Sequence, residues 1–119
     1  MLISFKSKKL EKDLSDKKAL VRRYGAEQAK KIQQRLIELH AAENLDTLRT
    51  LPQVRTHELS GNRAGQISLD IKNPYRLLII PNYEDPPRKA DGGLDWKKIT
   101  KIRILKVEDT HGRSKKKRL

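Results

Sequence analysis

Five side chains, scattered over residues 57–111, are of the kinds that acid–base chemistry on a phosphate would use: His57, Arg63, Arg76, Asp109 and His111. Attack by a 2′-hydroxyl needs a base to take its proton, and the leaving 5′-oxygen needs an acid to supply one. Histidine titrates nearest to working pH for either task, and arginine offsets charge gathering on the phosphorane oxygens. Arg76 lies among aliphatic residues in Tyr75-Arg76-Leu77-Leu78-Ile79-Ile80, where an arginine seldom sits without a carboxylate or phosphate to bind. Gathered on one sheet face, these residues have the parts for phosphodiester cleavage, and an acid and a base acting together give a bell-shaped pH dependence. Scattered, they are ordinary surface polar groups of a basic protein.

Other chemistries are excluded by what the chain lacks. It has no cysteine, and so no thiol nucleophile, thiolate metal site or disulfide framework. The three histidines, His40, His57 and His111, fall on different elements without metal-ligand spacing, and no metal or cofactor is expected. His40, among Leu36, Leu39 and Ala41-Ala42, reads as structural or surface. Gly61 and Gly65 precede no helix and make no phosphate-binding fingerprint, and no Gly-x-Ser-x-Gly elbow exists.

The charge points to a polyanion. Lys and Arg number 28 against 15 Asp and Glu, a net charge of +13 on 119 residues. A field of that size draws in nucleic acid or an acidic protein. Residues 113–119 hold five of the cations, among them Lys115, Lys116, Lys117 and Arg118, and no anion. Such a run repels itself and has nothing apolar to bury, so a disordered tail serving as an RNA anchor is expected there. No apolar run approaches the roughly 18 residues of a membrane helix, and Met1-Leu2-Ile3-Ser4-Phe5-Lys6 lacks a secretory core, so a cytoplasmic protein without a membrane partner is expected.

The elements that must position these groups can be read from periodicity. Leu2-Ile3-Ser4-Phe5 suggests an edge strand. From Ser7, an N-cap, apolar residues at Leu10, Leu14, Leu20 and Val21 predict a helix, broken near Ser15-Asp16 and closed at Gly25. Ala26, Ala29, Ile32, Leu36 and Leu39 predict a second helix, with Lys30, Lys31, Gln34, Arg35 and Glu38 on its polar face. Asn44 caps a short turn that Pro52 ends.

The period then changes to two. Residues 55–59 predict a strand, 60–63 a turn, and Ile67, Leu69 and Ile71 a half-buried strand. Residues 75–80 read as the central strand, 82–98 as an excursion with Pro86-Pro87 and Gly92-Gly93, and 99–109 as the last strand. Apolar phase changes between Ile104 and Leu105, which requires a bulge or two covered faces. The expected fold class is α+β: two N-terminal helices packed on an antiparallel sheet of about four strands, forming one domain over residues 1–112.

The run Leu51-Pro52-Gln53-Val54-Arg55-Thr56-His57-Glu58-Leu59-Ser60-Gly61-Asn62-Arg63-Ala64-Gly65-Gln66 resembles the Leu-Pro-Gly-x-Arg-x-His-x-Leu-x-Gly-x-Arg-x-Gly-x stretch of HigB-type toxins, the plasmid-maintenance killer proteins of the RelE superfamily. Tyr75-Arg76 resembles that family's Asn-Trp-Arg strand, and Glu108-Asp109-Thr110-His111 its closing Glu-Asp-Tyr-His. The resemblance covers nearly all of the chain up to residue 112. It implies the toxin of a type II toxin–antitoxin pair, a ribosome-dependent mRNA endonuclease that inhibits translation without a metal.

The resemblance puts His57, Arg76, Asp109 and His111 on the family's active-site positions, with His111 as acid, His57 or Asp109 as base, and Arg76 and Arg63 on the phosphate. It implies as partners mRNA on the ribosome and a small helix-turn-helix antitoxin, with DNA met only through the antitoxin complex. Ser60 stands where many relatives have lysine, and Thr110 where they have tyrosine, departures that would weaken activity. Trp96 and Tyr83 in the excursion are candidates for docking the antitoxin.

Two competing readings are a non-catalytic RNA- or ribosome-binding module, motivated by charge alone, and a DNA-binding regulator. The second is disfavoured because the carboxyl half reads as strands and no three-helix pattern with a recognition helix exists. RNA binding is expected to weaken steeply above about 0.15 M salt. Deleting residues 113–119 should flatten that dependence; an unchanged slope would make the tail a bystander.

Overall fold

The protein is described by a computed structural model covering residues 1–109, so His111 and the basic segment 113–119 lie outside the described residues. The fold is α+β, with helices on one side of a single mixed sheet. Two helices were expected where three form: α1 (Lys8–Ser15), α2 (Lys17–Tyr24) and α3 (Ala26–Ala41). The break falls at Ser15-Asp16. Asp16 leaves the helical region and its carboxylate accepts the Lys18 N–H at 3.1 Å, so it starts α2 as it ends α1. Ser7 caps α1 in the same way, its Oγ accepting from Leu10 N–H at 3.1 Å. Gly25, at φ 85°, turns the chain between α2 and α3.

The sheet has five strands rather than about four: β1 (Leu2–Phe5), β2 (His57–Glu58), β3 (Ile67–Asp70), β4 (Tyr75–Pro81) and β5 (Lys101–Asp109). Their order is β1-β5-β4-β3-β2, which places β4 in the middle as its apolar run requires. Every pairing is antiparallel except β1 with β5. The long connection through three helices frees β1 from hairpin geometry, so it can lie parallel to the last strand. The phase change in β5 is a bulge. Leu78 pairs with Lys106 and Ile79 with Ile104, leaving Leu105 as the extra residue.

Ile3, Phe5, Ile67, Leu69, Leu77, Ile79, Ile102 and Ile104 form the sheet side of one core, facing Leu14, Leu20, Ala29, Ile32 and Leu39 from the helices. Leu45 and Leu48 of a 3-10 helix, Leu45–Thr50, close its end, with Asn44 as its cap. No helix among the described residues is long and apolar enough to cross a membrane.

The structure corrects three further expectations. The strand expected over residues 55–59 shrinks to two residues, because Arg55 has φ 46° and interrupts the extended backbone just before His57. Trp96 is only 6% exposed and belongs to the core, so it presents no docking ring to an antitoxin. Arg35, assigned to the polar face of its helix, is 4% exposed. Its Nε donates to the Asp70 carbonyl at 2.6 Å, its Nη2 to the Gln53 carbonyl at 3.0 Å, and its Nη1 to Glu38 Oε1 at 3.0 Å. Two of the guanidinium's donors therefore tie α3 to the end of β3 and to the segment that leads into His57, and the third is held by Glu38 one turn along the helix.

Gln28 makes a similar clasp, its amide exchanging hydrogen bonds with the backbone of Lys72 at 2.9 Å. Replacing Arg35 by Met should cost about 3 kcal/mol, since two backbone carbonyls and a carboxylate lose the donors of a buried guanidinium. Urea unfolding checks this; an unchanged midpoint would show the clasp to be dispensable.

The excursion 82–98 is anchored where it leaves and rejoins the sheet. Tyr83 Oη accepts the Thr100 N–H at 2.9 Å and lies 3.2 Å from its hydroxyl, and Lys101 Nζ stands 4.6 Å from the ring centroid. Burial raises the phenol pKa, but hydrogen bonds from Thr100 and from the Lys101 backbone, with the Lys101 charge, outweigh it and hold the phenol below its usual 10.0. In the window just under 10 the folded protein has released a proton that the unfolded chain keeps, so this group adds stability as pH rises through it. Absorbance at 295 nm should show a phenolate component titrating below 10 that Tyr83→Phe removes; an unaltered titration in the variant would contradict the arrangement.

Candidate functional site

The sheet face away from the helices is where the expected residues meet. Strand alternation projects Ser68 and Asp70 from β3, Arg76 and Leu78 from β4, and Lys106 and Glu108 from β5 to that side. His57 is opposite Ser68 and shares the face; its side chain is exposed on the edge strand, and its carbonyl accepts from Ser68 Oγ at 3.5 Å. Two strand spacings and two residues separate His57 from Arg76, roughly 12 Å between Cα atoms at ordinary sheet dimensions.

At the centre of this face is a residue that sequence reasoning quoted but gave no role. Glu108 is only 4% exposed and is directly opposite Arg76 in the register. Arg63, from the 3-10 turn Gly61–Arg63, donates from Nη2 to Glu108 Oε1 at 2.7 Å and from Nη1 to Oε2 at 3.4 Å. Arg76 Nη2 donates to Oε2 at 3.1 Å, and Lys106 Nζ is 3.7 Å from Oε1. A carboxylate is buried at tolerable cost only when paired in this way.

One anion thus gathers three cations, leaving a local positive excess. The arginine side chains remain 24% and 28% exposed, so their outer edges reach solvent. Arg76 Nε is buried and has no hydrogen-bond partner among the described residues. The expectation that Arg76 must bind an anion is met inside the protein. The signal for it was the Glu108–Arg76 register, which no single-strand reading displays.

Asp109 does not join this group. Its partner across the ladder is Tyr75, and alternation puts it on the helix side with Val107. The structure therefore assembles His57, Arg63 and Arg76 on one face and turns Asp109 to the other; His111, Lys115, Lys116, Lys117 and Arg118 lie outside the described residues. Asp70, opposite Arg76, pairs with Arg55 at 3.4 Å, extending the row of alternating charges toward His57.

Two concavities border the group. Beside β2, a groove of about 440 Å³ is lined by His57, Glu58, Arg55, Arg49 and Trp96 over Leu48 and Leu51. On the β5 side, another of about 470 Å³ has Leu78 and Leu105 as its floor and Lys6, Arg63 and Lys106 on its walls. It continues through Lys6 and Leu105 into a recess with Lys9 and Arg23, and from there into the elbow of α1 and α2 with Lys12 and Arg22. Asp13 and Asp16 occupy part of that elbow, Asp13 paired with Lys9 at 3.5 Å and Arg23 at 3.8 Å, but four cations face the two carboxylates. The result is a continuous cationic track from the helices to the sheet face, of which sequence reading saw only the net charge. Among the described residues no cluster of three or more His, Cys, Asp and Glu could hold a metal.

Compared with known proteins, the chain matches no family model and no curated sequence. Glu108→Gln should lower stability by about 3 kcal/mol, as Arg63 and Arg76 are left facing each other without their shared anion. High salt should restore part of the loss by screening them. Denaturant midpoints at low and high salt test this, and a variant as stable as the parent would show that the carboxylate does not hold the face together.

Proposed function

We propose that this protein is a HigB-type toxin of the RelE superfamily, a cytoplasmic endoribonuclease that cleaves mRNA on the ribosome and is neutralised by a helix-turn-helix antitoxin. The observation that carries the reading is an exposed imidazole, His57, on the same sheet face as two guanidiniums fixed over a buried carboxylate. A cationic track beside them suits a phosphate backbone. The sequence resemblance over residues 51–66 and 108–111 supplies the reaction class.

In that reaction His57 takes the proton of a 2′-hydroxyl, whose oxygen bonds to the adjacent phosphorus. The bond from phosphorus to the 5′-oxygen breaks, the 5′-oxygen takes a proton from His111, and a 2′,3′-cyclic phosphate remains. Arg76 and Arg63 face the phosphate from the side where charge accumulates. The placement of Asp109 on the opposite side of the sheet favours His57 over it as the base. Ser60, exposed ahead of the Gly61–Arg63 turn, leaves that edge one cation short of the family pattern.

A second reading has its own observation. Both guanidiniums already contact Glu108, which suits a surface that binds RNA or the ribosome without cutting. Induced expression separates the two. The toxin reading expects growth arrest, with ribosome-dependent mRNA fragments ending in cyclic phosphate. His57→Ala or His111→Ala should reduce cleavage by about 10²-fold or more while leaving the fold intact. Unimpaired growth with abundant soluble protein and uncut mRNA would overturn it in favour of the binding module.

A further inference from the structure

The groove beside His57 contains a planar cation with one side already stacked. The Arg49 guanidinium carbon stands 3.8 Å from the centroid of the Trp96 ring, close stacking distance for a cation on an indole. Two further contacts fix the pair. Arg49 Nη1 is 3.3 Å from Asp46 Oδ1, and the Trp96 indole N–H donates to Glu58 Oε1 at 3.2 Å. Trp96 is otherwise buried in the core and cannot move away, yet the Arg49 side chain is 53% exposed. The guanidinium therefore rests on a rigid aromatic support, in a groove that the edge-strand residues His57 and Glu58 also border.

We infer that Arg49 is a stacking platform for a nucleobase, placed so that a strand whose phosphate lies beside His57 lays an adjoining base on the guanidinium plane. This deepens the nuclease reading and rests on it for the position of the strand. The chemistry suits the ligand. A guanidinium supported on one face by an indole can accept a base on the other, and stacking on such planes is how unpaired RNA bases are commonly held. Apolar Leu48, Leu51 and Pro52 line the groove beside it and suit the faces of a base more than its charged backbone. Lysine at position 49 would keep the charge and lose the plane.

Trp96 is the chain's single tryptophan, so its emission reports on this site alone. The test uses the full chain and two short RNA strands of equal length and charge: a 2′-O-methyl trinucleotide that cannot be cut, and its counterpart with abasic sugars. The base-bearing strand should change Trp96 emission saturably and bind about tenfold more tightly than the abasic one. Arg49→Lys should remove that tenfold preference while the far-ultraviolet circular dichroism stays unchanged, and Lys31→Arg, on the exposed side of α3, should preserve it. Equal affinity for the two strands, or a preference that survives Arg49→Lys, overturns the platform.

Cleavage is scored separately on programmed ribosomes. Base-dependent quenching with no cleavage would leave the platform standing and remove the nuclease reading. Cleavage with no base dependence would do the reverse. If free nucleoside monophosphates quench as strongly as the trinucleotide, the site takes a mononucleotide and the proposed strand placement is wrong.

Discussion

A carboxylate nearly sealed from water, Glu108, is the constraint from which the rest of this surface follows. In the middle of a sheet it has no stable existence as an isolated charge, and its position opposite Arg76 supplies one partner by register alone. The second, Arg63, comes from a turn that must fold back over the sheet to reach it. That turn lines a groove together with Leu78, and Ser68 and Leu78 are buried although they point away from the helices. The anion thus fixes both a loop and the orientation of two guanidiniums whose outer edges remain accessible. The surface is organised before any ligand arrives, which is the condition under which fixed charges act strongly on a developing anion.

Arg35 does for the backbone what Glu108 does for the side chains. Its bonds to the carbonyls of Asp70 and Gln53 pin the end of β3 beside the segment that enters β2, and the Asp70 N–H bonds the Val54 carbonyl at 2.7 Å. Asp70 is opposite Arg76, so helix, loop and central strand are referred to one point. His57 follows two residues after a left-handed Arg55, on a strand too short to position itself. The placement of His57 is therefore a tertiary effect, imposed by a buried arginine on the helix behind it.

The regular elements were legible because their signals are local. Ser7, Asp16, Asn44 and Gly25 mark helix boundaries through their own side chains or backbone, and the apolar alternation of β3 and β4 reports their burial directly. The change of phase at Leu105 left a bulge or two covered faces as alternatives, and the register decides for the bulge. What stayed hidden depends on pairing between distant residues. Arg35 sits in a helix sequence beside Gln34 and Glu38 and looks solvated, because its carbonyl partners are 18 and 35 residues away. Glu108 looks like any strand-end acid until the register is known. Asp109 and Glu108 are neighbours in sequence and opposite in face, so only the ladder tells which one meets Arg76. Trp96 was a docking candidate within an excursion from the sheet, yet its ring folds inward to complete the core.

The central claim is that His57, Arg63 and Arg76 form one surface that meets RNA as a unit. It is tested most directly by nitrogen-15 NMR of the side-chain signals: the imidazole of His57 and the guanidinium Nε–H groups of Arg63 and Arg76, titrated with a short RNA carrying 2′-O-methyl groups. The account requires all three to shift together, with one apparent affinity. Shifts confined to the lysines of α1 and α2, with the three signals unmoved, would contradict it.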